Sequence, residues 1–425
     1  MNHDAHPPLA AALDFVEQQF GCMVQRLEHW CAVNSGSMSV EDLQRMAALV
    51  ATDYSSLGDG AVNIPLPAYR TLSDDGEEEL RHTGPLLCWH HQPQASKRIL
   101  LMIHYDTVYS PAAHESMRQR IEGDRFYAPG AADAKGGLMV MLESLRVVRR
   151  FGLDAGIGWT AACNPDEEIG SPASRSWMQQ HAKEFVFGLL FEPTLPDRAL
   201  VASRMGSGNF TVVVHGRSAH AGREPAAGRN AVMKLCRILT EVDRLNAASF
   251  GGRVNVARFR GGDALNRIPD LAVGRFNIRA QSADSADRFL AALERIIDQA
   301  RGEEGFRVEL HGEFQSLPKA WTTATEQLAQ RVVAAGRVAG RSIAWKNTGG
   351  VCDGNKLASA GLANIDTLGP DGDGLHSPNE WVDLSSLVPA IKTLVILIAD
   401  YAAEARGDSS RSREGTSAAE QGEFS

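Results

Sequence analysis

Apolar residues along this chain keep two rhythms. In the first, short apolar runs each end on polar residues able to do chemistry. "RILLMI" (98–103) runs into His104-Tyr105-Asp106, and "IGWTAAC" (157–163) runs toward three successive acids, Asp166, Glu167 and Glu168. "FVFGLLF" (185–191) stops at Glu192-Pro193, and "NIDTLG" (364–369) leads into a glycine-rich loop carrying His376. Such runs predict strands buried on both faces, as in a parallel sheet. Amphipathic patterns at 138–150 and 384–401 predict helices. Strands alternating with helices predict an α/β domain with a mainly parallel sheet flanked by helices.

The middle of the chain has the second rhythm. Residues 208–217 alternate like a strand with one solvated face, and 230–245 read as an amphipathic helix. Strands follow at 253–259 and 271–280, then a helix at 285–301 with Ser282 or Ser285 as its cap, then a strand at 307–314. The order β-α-β-β-α-β is that of a ferredoxin-like unit. It interrupts the chain between the Glu192 and His376 strands, so the catalytic domain is predicted to be discontinuous. Residues 1–206 and 318–405 form it, and 207–317 are an inserted lid or dimerisation domain. The polar stretch 406–425 is expected to be a disordered tail.

In open α/β sheets, ligands bind beyond the carboxyl ends of the strands. All the polar residues just named fall there. The loop "YAPGAADAKGG" (127–137) adds Asp133. The collected set is His104, Asp133, Glu167, Glu168, Glu192 and His376, two imidazoles and several carboxylates suited to zinc, with Co²⁺ or Mn²⁺ as substitutes. Two ions ~3.5–4 Å apart need one bridging carboxylate plus one histidine and one carboxylate each. That uses five ligands and leaves one carboxylate as a base for acidified water. Dications among the acids would also offset their mutual repulsion. Asp106, two residues from His104, shares its face of the strand end and suits an orienting role.

Charge and composition narrow the function classes. A formal net charge of −9 with no concentrated basic patch argues against nucleic-acid binding. No run approaches the ~20 apolar residues of a membrane span. The N-terminus lacks a basic region followed by an apolar one and reads as a short leader into a helix. The six cysteines are scattered, as expected of reduced, mostly buried thiols in a cytoplasmic protein.

Taken in order, "HYDTV" (104–108), "GAADAKGG" (130–137), "NPDEEIGS" (164–171), "FEPT" (191–194), "GRSAHAG" (216–222) and "LHSPNEWVDLSSL" (375–387) resemble the co-catalytic zinc peptidase family of glutamate carboxypeptidase, aminoacylase, acetylornithine deacetylase and succinyl-diaminopimelate desuccinylase. The resemblance spans about residues 90 to 400. It implies two zinc ions per subunit, with Asp133 bridging, His104 and Glu192 on one ion, and Glu168 and His376 on the other. Glu167 would be the general base, with Asp106 holding His104 in its tautomer. Glu192 followed by proline is similar to the glutamate-carboxypeptidase branch.

The same resemblance makes the insert a dimerisation domain whose His220 reaches the partner subunit's site to stabilise the oxyanion. Asn266 and Arg279 would bind the substrate carboxylate, and Gly349 and Gly350 belong to a glycine-rich substrate loop. The implied activity is cleavage of an amide bond in an N-acyl amino acid or dipeptide-like substrate with a free carboxylate. Two departures bear on specificity. Arg204-Met205-Gly206 stands where the branch often has Arg-Lys-Gly, and "QSLPKAW" (315–321) where it often has Arg-Pro-Pro. Two cationic contacts for an acidic side chain are then missing. The competing readings are a dinuclear phosphoesterase, which needs more cationic groups near the metals, and a non-catalytic metal-binding protein on the same fold, which needs a ligand or the base to be lost.

Overall fold

A computed structural model describes residues 7–58 and 61–407 of the 425. From residue 408 onward the expected tail lies outside the described residues. The central sheet has six strands in the order Val62–Ile64, Leu86–His91, Gly158–Asn164, Arg98–His104, Phe187–Leu190 and Asn364–Ile365. The last four are mutually parallel and are the four apolar runs, while Leu86–His91 pairs antiparallel to Gly158–Asn164. Strand Arg98–His104 explains the unbroken pattern. Ile99, Leu101 and Ile103 join the core on one face, and Leu100 and Met102 join a second core on the other.

Helices Pro7–Gln18, Gly137–Arg150, Thr323–Val338 and Leu387–Arg406 supply the first core; Arg175–His181 and Asp353–Ser359 lie over the second. One segment corrects the expectation about apolar length. Leu384–Arg406 is long and apolar enough to cross a bilayer, but 61% of its apolar window is buried within the chain. It is a core helix, with Ile391, Leu394, Val395 and Ile398 almost wholly buried. The cysteines also divide: Cys31, Cys88, Cys163 and Cys352 are buried, Cys22 and Cys236 are exposed, and none of the six is paired.

The insert folds around its own core. Its strands Gly206–His215, Gly252–Gly261, Leu271–Ala280 and Arg307–Ser316 form an antiparallel sheet, ordered second-third-first-fourth in chain sequence. Helices Ala231–Arg244 and Ala283–Arg301 complete the ferredoxin-like unit. Ser282, not Ser285, caps the second helix by accepting from Ser285 N–H.

The insert's two ends meet. Ser207 lies opposite Ser316 in the sheet, and Arg204 and Lys319 exchange backbone hydrogen bonds at 3.0 Å each. Both of their side chains turn inward to Asp366. Arg204 approaches it through two 2.9 Å bonds and Lys319 through one of 2.7 Å. These two cations hold the wholly buried Asp366 well below the usual carboxylate range, against the cost of burial. Removing that carboxylate would leave two buried charges without their partner, a much costlier change than losing a surface pair.

A second link to the insert was not foreseen in the sequence. The hairpin Tyr69–Leu72/Glu78–Arg81 lies against its sheet. Arg275 donates to the carbonyls of Leu72 and Ser73 at 2.8 and 2.6 Å, and Arg258 pairs with Asp74 at 2.5 Å. A cavity of about 1070 Å³ opens between this hairpin, the loop after the acidic triplet and the insert.

Candidate metal centre

Parallel pairing places two ligand-bearing strand ends side by side. His104 is the register partner of Asn164, so the chain leaves these neighbouring strands toward Asp106 and toward the acidic triplet at the same edge. The Asp106 carboxylate accepts from the backbone N–H of Glu167 at 3.1 Å, from that of Glu168 at 3.2 Å, and from Ser37 Oγ at 2.7 Å. This extends the role expected for Asp106. His104 Nδ1 lies 3.0 Å from the Asp106 backbone carbonyl and 3.3 Å from Oδ1, so both backbone and carboxylate fix the ring. The carboxylate also shapes the turn that presents Glu167 and Glu168. Asp166 faces away from the cluster and accepts from Ala173 N–H and Ser174 N–H.

Asp133 comes from a loop of small residues. Gly130, at φ 72°, supplies a left-handed turn that a side chain would disfavour. Gly137 opens the following helix where an added Cβ would lie 2.1 Å from the carbonyl oxygen of Phe191. That close approach brings the Asp133 loop against the strand end carrying Glu192.

The two oxygens of Asp133 face different histidines. Oδ1 is 3.1 Å from His104 Nε2, and Oδ2 is 3.4 Å from His376 Nε2. His104 Nε2 also lies 3.7 Å from Glu192 Oε2, and His376 Nε2 lies 3.1 Å from Glu168 Oε2. The cluster therefore divides into two half-sites, each with one imidazole, one carboxylate of its own and one oxygen of Asp133. Around a tetrahedral zinc with bonds of ~2.0–2.1 Å, neighbouring donors sit about 3.3 Å apart, close to these spacings. The donor set fits zinc in a second respect. Glu168 Oε1 is buried and has no hydrogen-bond partner among the described residues.

The electrostatics are those of crowded, buried acids beside two imidazoles. Burial, reinforced by the charge on Asp133, pushes Glu168 up to about 8. Hydrogen bonds to Asp133 and Glu168 push His376 up to about 10, against partial burial. For Asp133, burial acts upward, but the hydrogen bonds to both histidines outweigh it and hold the group well below the carboxylate range. Burial raises Glu167 well above its ordinary value; Glu192 and Asp353 add to this, while His104 and Lys356 oppose it.

At neutral pH the His376–Glu168 pair therefore holds at least one proton that a metal ion must displace. Binding is expected to release protons, and apparent affinity to climb with pH between 6 and 8, by up to roughly tenfold per unit for each proton released. Calorimetric titration with Co²⁺ in buffers of different ionisation enthalpy measures this directly. An affinity flat across that window would contradict it.

The substrate-binding candidates divide. Arg279 Nη1 donates to the Gly349 carbonyl at 3.2 Å, joining the insert to the 349–350 loop. His220 and Asn266 sit at an exposed edge of the insert, and the polar contacts of both remain within it. His220 Nδ1 accepts from Gly222 and Arg223 N–H at 3.1 and 3.2 Å, which leaves Nε2 as its N–H donor. Neither residue is in contact with the Asp133 cluster of its own chain. Sequence reasoning missed Ser37, Tyr109 and Glu380, which support the ligand loops. Isolated polar residues carry no periodicity by which to find them.

Known proteins match this chain on both sequence and fold. Residues 100–400 match the family model described as Peptidase family M20/M25/M40. Carboxypeptidase G2 of Pseudomonas sp. (strain RS-16) is 30% identical over 325 residues, covering 73% of this chain and 75% of that protein. A succinyl-diaminopimelate desuccinylase of Gluconobacter oxydans (strain 621H) is 26% identical over 304 residues, covering 68% and 77%. An M20 family metallo-carboxypeptidase from Sulfolobus solfataricus shares the fold at 16% identity, with a TM-score of 0.72 over 89% of this chain and 99% of that one. With most of its length matched in sequence and its architecture matched in space, this chain belongs to peptidase family M20/M25/M40.

Proposed function

We propose that this chain is a dinuclear zinc hydrolase that cleaves an amide bond in an N-acyl amino acid or dipeptide-like substrate bearing a free carboxylate. The observation that carries the reading is Asp133, whose two oxygens serve two histidines while each histidine keeps a further carboxylate of its own. His104, Asp133 and Glu192 would hold one ion, and Asp133, Glu168 and His376 the other. The ions, when bound, supply Lewis acidity and lower the pKa of water from 15.7 to ~7.

Glu167 is the acid left over. Its raised pKa suits a group that takes a proton from water and passes it to the leaving amine. Asp106 holds the Glu167–Glu168 turn through two backbone N–H groups. Arg279 is half-buried and gives Nη1 to the Gly349 carbonyl, so its guanidinium has further donors that suit a substrate carboxylate. Asn266 would join it there, and His220, exposed on the insert, would offer its Nε2–H to the oxyanion of a partner subunit's site in a cytoplasmic homodimer.

Two contacts argue against a requirement for a glutamyl side chain. Met205 Sδ lies 3.6 Å from where a Cβ on Gly349 would sit, putting sulfur beside the 349–350 loop. Lys319 is 1% exposed and committed to Asp366. A neutral side chain on the amino-acid half of the substrate fits these surroundings better.

The test is amine release from N-acyl amino acids, dipeptides and pteroyl-type glutamates, comparing zinc-reconstituted with chelated protein. Metal-dependent release from any class supports the hydrolase and ranks its substrates. Two bound zinc ions with no release from any class would favour a non-catalytic metal-binding protein.

A further inference from the structure

Four donors converge on a single buried carboxylate, that of Glu380, which is 0% exposed. Its Oε1 accepts from the N–H groups of Ala132 and Asp133, both at 3.0 Å, and its Oε2 from Gly130 N–H at 3.1 Å. The Tyr109 hydroxyl lies 2.6 Å from Oε2 and 3.0 Å from the Ser377 carbonyl. Glu380 donates its own N–H to that same carbonyl at 3.2 Å. Ser377 follows His376, which holds a φ of 59°, a left-handed conformation uncommon for a residue with a side chain.

Tyr109 leaves the same strand end as His104. The pair therefore touches all three segments that bring His104, Asp133 and His376 together. Without it, the run Gly130-Ala131-Ala132-Asp133 has little side chain with which to anchor itself. Its buried N–H groups need an acceptor from elsewhere in the chain.

We propose that Glu380 and Tyr109 are positioning residues for the metal pair, fixing Asp133 between the two histidines before any ion arrives. The inference rests on the metal-centre reading of the proposed function. Its physical content is preorganisation: the ordering of the Asp133 loop and the His376 turn is completed during folding, so it is not subtracted from metal affinity. Glutamine at 380 would accept from Ala132 and Asp133 but turn its NH₂ toward Gly130 N–H, donor against donor. Phenylalanine at 109 would remove only the hydroxyl that ties Glu380 to the His376 turn.

The full-length wild type, Glu380→Gln and Tyr109→Phe are stripped of metal and titrated with Co²⁺. Bound cobalt and its visible absorption are followed, and circular dichroism melting of each metal-free protein reports folding. Co²⁺ affinity is expected to fall roughly 10–100-fold in Glu380→Gln. A smaller loss is expected in Tyr109→Phe, and both should show altered cobalt spectra. A folded Glu380→Gln with wild-type affinity and spectrum overturns the proposal. If that variant does not fold, Tyr109→Phe decides it, and wild-type cobalt behaviour there overturns it equally. Wild-type protein that takes up no cobalt would overturn the metal-centre reading itself, an outcome distinct from unaltered variants of a metal-binding parent.

Discussion

Under the proposed function, replacing Glu167 with glutamine is expected to reduce turnover by roughly 10²–10⁴-fold while bound metal is retained. Glutamine keeps the shape of the side chain but cannot take a proton from water at neutral pH. The turn is unaffected in principle, because Asp106 holds it through the backbone N–H groups of residues 167 and 168 and not through the Glu167 side chain. Measuring kcat together with bound zinc separates the possibilities. Near-wild-type turnover would assign the base elsewhere, and loss of one zinc would move Glu167 into the ligand set.

Asp133→Ala carries the other large effect. Because each oxygen of Asp133 faces a different histidine, one truncation damages both half-sites. Affinity for both ions is expected to fall by at least about 100-fold, since losing a mere supporting group already costs 10–100-fold. Glu168→Ala and Glu192→Ala should each weaken one site and spare the other. Metal content after dialysis against a chelator is the measurement. A variant of Asp133 that kept one ion at wild-type affinity would show that the carboxylate is not shared.

The parallel strands of the central sheet were legible because they are buried on both faces, which leaves short apolar runs with polar residues at their ends. Strand Arg98–His104, with its side chains divided between two cores, is the clearest instance. The insert was legible because its alternating strands and amphipathic helices obey a different period. The hairpin 69–81 was not, since its strands expose charged residues on a solvated ribbon held by backbone and arginine contacts. Glu380 escaped for another reason. It stands inside the quoted stretch 375–387, but its partners Tyr109 and Ala132 lie 271 and 248 residues away in sequence, and nothing local announces contacts that distant.

The meeting of Ser207 with Ser316 has a consequence for how the protein is made. While the chain is still being synthesised, strand Phe187–Leu190 is completed long before its parallel neighbour Asn364–Ile365 exists. Its open edge is then available to any wrong partner. The insert emerges in that interval with a hydrophobic core of its own. Once it folds, its two ends are adjacent, so to the waiting sheet the whole excursion behaves as a short closed loop. Because the entropic cost of bringing distant chain segments together is only logarithmic in loop length, this shortening eases the arrival of the final strand by about 1 kcal/mol. Folding of the insert thereby brings its end at residue 316 beside its start at residue 207, while His376 and Glu380 still lie further along the chain.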